Sequence, residues 1–163
     1  MQAFSSNPSA VIRFTGEDQA EFLQGQGTAD LMRPTGSSTY SLWLDFKGNI
    51  LGDGFVLRLG PEESLLISYA SEATALMEKF DRHIIADDVE LEDLTQQYCL
   101  FSIPADAVEN AGNEAGLEIP EEGAFGSLPW GHLFKGRRLG LGTLELLMEK
   151  EEAKALQVEQ IPL

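Results

Sequence analysis

The sequence predicts an α+β fold of antiparallel sheets with interspersed helices, and three observations carry that prediction. Short apolar segments recur between Gly, Pro and Asn turn residues, the pattern of strands joined by tight connections. One segment, Ser71 to about Ile85, instead places Ala73, Leu76, Met77, Phe80 and Ile84 at helical spacing. The resulting order of hairpin, helix, strands, helix, hairpin and helix favours local antiparallel pairing.

Composition supports a folded chain. Of 163 residues, 43% are hydrophobic and 23% charged, the proportions of a globular protein, so disorder, collagen and coiled coil are poor descriptions. The net charge of −16 disfavours non-specific binding to nucleic acid or to an anionic membrane, both of which require cations to meet phosphates. No apolar run reaches the roughly 18 residues of a membrane helix, and the first residues lack the regions of a signal peptide. A soluble, cytoplasmic protein is expected. Cys99, the single cysteine, excludes a disulfide framework within the chain and suits a reducing compartment.

Taken in order, Val11 to Phe14 reads as the opening strand, and Thr15-Gly-Glu-Asp18 as a capping-box-like helix start. Gly25 is expected to stop that helix, and Thr28 to cap a second short turn ended by Pro34. In residues 39–46, Tyr40, Leu42, Leu44 and Phe46 alternate with Ser41, Trp43 and Asp45, so the first set is expected to form the buried face of a strand. Lys47-Gly48-Asn49 reads as a hairpin turn, and Ile50 to Leu59 as the return strand.

Gly52-Asp53-Gly54 interrupts that strand and suggests close approach to its backbone. Further strands are expected at Ser64 to Ala70, Val89 to Leu94 and Tyr98 to Ile103, and a helix at Asp106 to Ala115. Gly123 to Phe134 and Arg137 to Met148 read as a second hairpin turned at Lys135-Gly136. A charged helix from Glu149 to about Val158 closes the chain.

Familiar catalytic signatures are missing: there is no nucleophile elbow, no phosphate-binding loop and no dinucleotide fingerprint. His83 and His132 stand apart from any ligand-spaced motif and read as residues without a catalytic role, and Cys99 as core. The first hairpin is more informative. If Lys47 and Gly48 form a two-residue turn, Leu42 pairs with Asp53, and Tyr40 becomes the diagonal neighbour of Asp53 on the same face. A three-residue turn would shift the register and separate them.

A carboxylate on a mostly apolar face is costly unless paired, and the flanking glycines leave room for a polar ligand such as an amine or a pterin-like nitrogen. There it could stabilise a developing cation or move a proton. The alternative is an Asp53 that faces solvent beside a glycine-rich bulge.

The segments FLQGQGTADL (residues 22–31) and TYSLWLDFKGNILGDGFVLRL (residues 39–59) resemble the folate-binding region of the glycine-cleavage T-protein, an aminomethyltransferase, and of its YgfZ-type relatives. The resemblance implies a T-protein-like folate-binding fold with an inserted half ferredoxin-like unit. It assigns residues 1–44 and 97–163 to a discontinuous folate-binding core and residues 45–96 to the insert. It implies tetrahydrofolate as cofactor and one-carbon transfer to it as the reaction. The alternatives are a non-enzymatic, folate-responsive YgfZ-type factor for tRNA modification or iron-sulfur cluster assembly, and a degenerate domain used for protein contacts.

By resemblance Asp53 is the catalytic aspartate that meets the folate and the aminomethyl nitrogen, and Tyr40 lines the same pocket. Glu145 matches the glutamate that binds the pterin ring, a chemically apt role because a carboxylate accepts paired N–H donors. Without the resemblance, Glu145 reads as an exposed strand-end acid. The chain departs from the family at Arg138, where an aromatic is usual, and at Leu141, where an acid is usual.

The family's C-terminal β-rich domain, its cysteine-containing motif and the arginine that holds the folate tail have no counterpart within these 163 residues. Lys135, Arg137 and Arg138 form the clearest positive cluster. Arg137 and Arg138 could replace that arginine by meeting a folate glutamate tail, or the cluster is a solvated turn. A sheet edge left uncovered between Asp45 and Asp93 would favour a homodimer or a separate C-terminal partner protein.

Overall fold

A computed structural model describes residues 2–108, 118–138, 142–154 and 159–160. In chain order the strands are β1 (Gln2–Ser6), β2 (Ala10–Thr15), β3 (Ser38–Leu44), β4 (Ile50–Gly60), β5 (Glu63–Ser68) and β6 (Glu90–Asp93). They continue with β7 (Tyr98–Pro104), β8 (Phe125–Leu128), β9 (Gly131–Gly136), β10 (Thr143–Glu149) and β11 (Glu159–Gln160). The helices are α1 (Gln19–Gln26), α2 (Ala73–Asp81) and α3 (Lys150–Ala153). The class is α+β, as expected. Contacts divide the chain into two units, Pro8–Gln96 and Met1–Asn7 with Gln97–Leu163.

The unit of residues 8–96 holds a five-stranded antiparallel sheet in the order β3-β4-β5-β2-β6. Without β3, the order β4-β5-β2-β6 with α1 after β2 and α2 after β5 is the ferredoxin-like arrangement. It therefore takes in β2 and α1 as well as residues 45–96. Both helices pack on one face, where Phe22, Leu23, Leu76 and Phe80 meet Ile12, Phe14, Trp43, Val56 and Leu66. Phe80 is the hub: its ring stands edge-on to Phe14 at 5.2 Å and to Trp43 at 5.7 Å, and truncating such a residue costs about 3 to 5 kcal/mol.

Trp43 corrects the expected face of β3. Trp43 and Ser41 are buried, whereas Phe46 is 94% exposed, so the odd-numbered residues face the helices. The even-numbered Tyr40 and Leu42 lie on the opposite face. Alternation alone could not decide this, because both sets contain large apolar side chains.

Three local readings before β3 are also corrected. Asp18 is the N-cap of α1 but makes no capping hydrogen bond. Its carboxylate accepts from the Asp88 amide at 2.7 Å, while Asp88 accepts from the Glu17 amide at 3.0 Å, so both acids tie down the loop before β6. The helix runs through Gly25 and ends at Gly27, where a Cβ would come within 2.7 Å of Ser41 Oγ. Thr28 caps no turn: its amide donates to the Leu42 carbonyl and its hydroxyl accepts from the Leu42 amide, both at 3.1 Å. Gly27 and Thr28 thereby occupy the outer edge of β3.

The other unit holds a six-stranded sheet in the order β11-β1-β7-β10-β9-β8, parallel at β1–β11 and antiparallel elsewhere. β1 has little strand signal in the sequence, since QAFSS carries no β-branched residue. One face packs Ala3, Phe101, Ile103, Leu133, Leu144, Leu146 and Met148 together with Cys99, whose thiol pKa is raised by burial.

The second hairpin turns elsewhere than expected. Lys135 and Gly136 are paired inside β9, opposite Leu144 and Thr143, and the β8–β9 turn falls at Pro129-Trp130. Proline lacks the amide that a ladder position needs, which places the turn there. Of the helix expected at Asp106 to Ala115, the described part is a 3-10 turn over Ala105–Ala107, and residues 109–117 lie outside the described residues. The closing helix is described over Lys150–Ala153, with residues 155–158 likewise outside.

Candidate functional site

The β3–β4 hairpin brings Tyr40 and Asp53 into direct contact. Its turn has three residues rather than two: Asp45 Oδ1 accepts from the amides of Lys47 and Asn49, both at 2.8 Å, and Gly48 adopts φ +85°. The Asn49 side chain also donates to Asp45, the largest of the hydrogen bonds that hold the Asp45 carboxyl below its ordinary pKa. Such a turn alone would have put Tyr40 and Asp53 on opposite faces. The register shifts once more between Leu44 and Trp43, which restores the pairing of Leu42 with Asp53 and of Tyr40 with Phe55. Two offsets cancel.

The Tyr40 hydroxyl consequently donates to Asp53 Oδ2 at 2.5 Å. The other oxygen, Oδ1, accepts from Ser71 Oγ at 2.9 Å, and the Asp53 amide donates back to Ser71 Oγ at 3.0 Å. Ser71 sits just before α2, so the helix start and the hairpin jointly fix the carboxylate. The Tyr40 ring lies 5.2 Å from Phe55, which lies 6.0 Å from Tyr69, giving an aromatic row beside the acid. Asp53 is half-buried, not a free surface acid. The sequence marks Ser71 only as a helix start and gives no sign of this contact.

The glycines beside Asp53 serve the protein itself, contrary to the reading that they leave room for a ligand. A Cβ at Gly52 would meet Leu76 at 2.7 Å, and one at Gly54 would meet the Ile67 carbonyl oxygen at 2.6 Å. The close approach they signalled is real. Its source is α2 and β5.

Glu145 lies in the other unit, in the middle of β10 opposite Ser102 and Phe134. It is fully buried rather than exposed. Ser102 Oγ donates to Oε2 at 2.6 Å and Thr143 Oγ1 donates to Oε1 at 2.5 Å, so both oxygens are oriented. These two hydroxyls were not singled out from the sequence; Ser102 becomes Glu145's neighbour only through the β7–β10 register.

Arg138 connects to this cluster, since its amide donates to Thr143 Oγ1 at 3.4 Å. Arg137 is exposed, Arg138 and Lys135 are half-buried, and Leu141 lies outside the described residues. Lys135 lines a cavity of about 230 Å³ with Val108, Ile119, Glu122 and Thr143. The basic cluster thus lies in β9 and the segment following it rather than at a tight turn, with Arg137 open to solvent.

The His83 ring meets the Lys79 carbonyl through Nδ1 at 2.7 Å. Burial lowers the pKa of His132, whose ring stands edge-on to Phe125 at 5.5 Å. Among the described residues no group of three or more His, Cys, Asp or Glu side chains could hold a metal ion, and no helix is long and apolar enough to cross a membrane.

Geometry therefore defines a two-unit α+β protein carrying two oriented carboxylates, one on a ferredoxin-like hairpin and one inside a β-sheet. The chain belongs to the GCVT N-terminal domain family, whose model matches residues 4–104. It is 35% identical over 114 residues to an aminomethyltransferase of Pelodictyon phaeoclathratiforme, covering 68% of this chain and 31% of that protein. It is 26% identical over 155 residues to a probable aminomethyltransferase of Pyrococcus furiosus, covering 90% and 37%. The crystal structure of glycine cleavage system aminomethyltransferase T from Bartonella henselae has the same fold, with a TM-score of 0.79 at 20% identity, covering 94% of this chain and 43% of that one. The chain spans about a third of the length of these curated relatives.

Proposed function

We propose that this chain binds tetrahydrofolate and serves one-carbon transfer of the aminomethyltransferase type, with Asp53 as the acid that meets the reacting nitrogen. The observation that carries the reading is the Tyr40–Asp53–Ser71 arrangement, a carboxylate fixed at both oxygens beside an aromatic row, in a chain of this family.

The donor set suits a reduced folate. Aromatic edges accommodate a flat ring, and a carboxyl group held at 2.5 Å by a phenol is placed to stabilise positive charge or move a proton. Glu145, in the other unit, is fully buried with Ser102 and Thr143 already donating to its two oxygens, so its part in accepting paired N–H groups of a pterin rests on the family resemblance alone. Arg137 and Arg138 remain the candidates for a glutamate tail. Tetrahydrofolate, when bound, would supply the amines that take up the one-carbon unit.

Anaerobic calorimetric titration of the wild type and of Asp53→Asn with tetrahydrofolate tests the reading. Loss of a charge-assisted contact predicts roughly 10- to 100-fold weaker binding by the variant. Equal affinities would remove Asp53 from the site, and no heat for the wild type at millimolar ligand would remove folate binding altogether.

A further inference from the structure

Lys79, in the last turn of α2, is 8% exposed. Its ammonium donates to the neutral side-chain oxygen of Gln26 at 2.9 Å and lies 5.4 Å from the centre of the Phe80 ring. No carboxylate among the described residues pairs with it. Burying a cation without an anion is costly, and the cost shows in a Lys79 pKa lowered by burial.

Lys79 also forms part of the wall of a pocket of about 200 Å³ beneath the tip of the β3–β4 hairpin. Arg82 and His83 complete the polar side, while Leu44, Phe46 and Leu51 form the apolar side. Phe46 is 94% and Leu51 51% exposed, with the Lys47 ammonium 5.4 Å from the centre of the Phe46 ring and no apolar cover given to either side chain among the described residues. Asp45 lines the pocket too, but its oxygens are engaged by Lys47 and Asn49 within the turn. Arg82 meets Glu78 at 3.4 Å in an exposed pair, which is weak in water.

We propose that this pocket binds a small organic monocarboxylate with a short apolar tail. The carboxylate meets Lys79 and Arg82, and the tail covers Leu44, Phe46 and Leu51. One ligand class answers both a buried ammonium short of an anion and an apolar wall short of cover. The competing explanation is that Lys79 and Arg82 only complement the C-terminal end of α2. That explanation gives no role to the apolar wall and predicts no preference for an anion with a tail.

Titration of the 163-residue chain with sodium hexanoate, followed by amide chemical shifts, distinguishes the two. Saturable shifts at Leu44, Leu51, Lys79 and His83 are expected with a Kd of about 1 to 10 mM, as suits so small a ligand. Acetate, which lacks the tail, and 1-hexanol, which lacks the charge, should each bind at least about tenfold more weakly, as should hexanoate to Lys79→Met. Should Lys79→Met fail to fold, Arg82→Gln replaces it, with a loss of about threefold expected for an exposed contact. Equal binding of 1-hexanol, unchanged affinity in the variant that folds, or no saturable shift below about 50 mM hexanoate would each overturn the proposal.

Discussion

Tyr40 donates its hydroxyl proton to Asp53 across the β3–β4 hairpin at 2.5 Å, although the two residues are diagonal rather than directly opposed. The contact exists only because a three-residue turn and a second register shift offset one another. Replacing Tyr40 by Phe removes the hydrogen bond to the Asp53 carboxyl and leaves the one from Ser71 in place. A loss of about 1.5 to 3 kcal/mol in urea unfolding is expected, with the denaturant slope unchanged.

Glycine 54 should tolerate little. A Cβ there would sit 2.6 Å from the Ile67 carbonyl oxygen, a backbone atom that cannot swing aside, so Gly54→Ala should cost about 1 to 3 kcal/mol. Gly60, where a Cβ would meet nothing within 4 Å, is the control, and Gly60→Ala should change stability by no more than about 0.5 kcal/mol. Chemical denaturation of the pair checks whether the glycines around Asp53 serve packing.

Around Glu145, Ser102→Ala and Thr143→Val each remove a hydroxyl donor from a buried carboxylate. Each should destabilise by about 1 to 3 kcal/mol, and the double variant should depart from additivity by at least about 0.5 kcal/mol because both donors hold one group. A double-mutant cycle by urea denaturation measures this directly. Strict additivity would mean that the two hydroxyls act independently of the acid.

Burial lowers the folded-state pKa of His132 below its ordinary 6.5. As pH falls below about 6.5 the unfolded chain takes up a proton that the folded chain resists, so this residue's contribution makes stability fall toward acid, by at most about 1.4 kcal/mol per pH unit. Comparing urea midpoints at about pH 7.5 and 5.5, His132→Phe should lose less stability than the wild type. An identical decline in both would show that His132 does not contribute.

Much of this was legible in the sequence. Helical spacing located α2, and the Gly-Asp-Gly interruption marked a place where something comes close to β4. The face of β3 was not legible, because Tyr40 and Trp43 are both large and only the position of Phe80 decides which turns inward. Nor is the origin of the Leu42–Asp53 register, since a two-residue turn and a three-residue turn followed by a register shift give the same pairing. Ser71 and Ser102 carry no local signature of their roles, which arise from contacts between elements. Lys135-Gly136 has turn chemistry yet lies inside β9, whereas the backbone turns at Pro129.

The central claim is that a reduced folate meets the hairpin at Asp53. Backbone amide shifts of the 163-residue chain, recorded during addition of tetrahydrofolate, test it most directly. Saturable shifts at Asp53, Phe55 and Ser71, weakened in Asp53→Asn, are the expected result. Saturable binding whose shifts spare all three residues, or that persists unchanged in the variant, would contradict it.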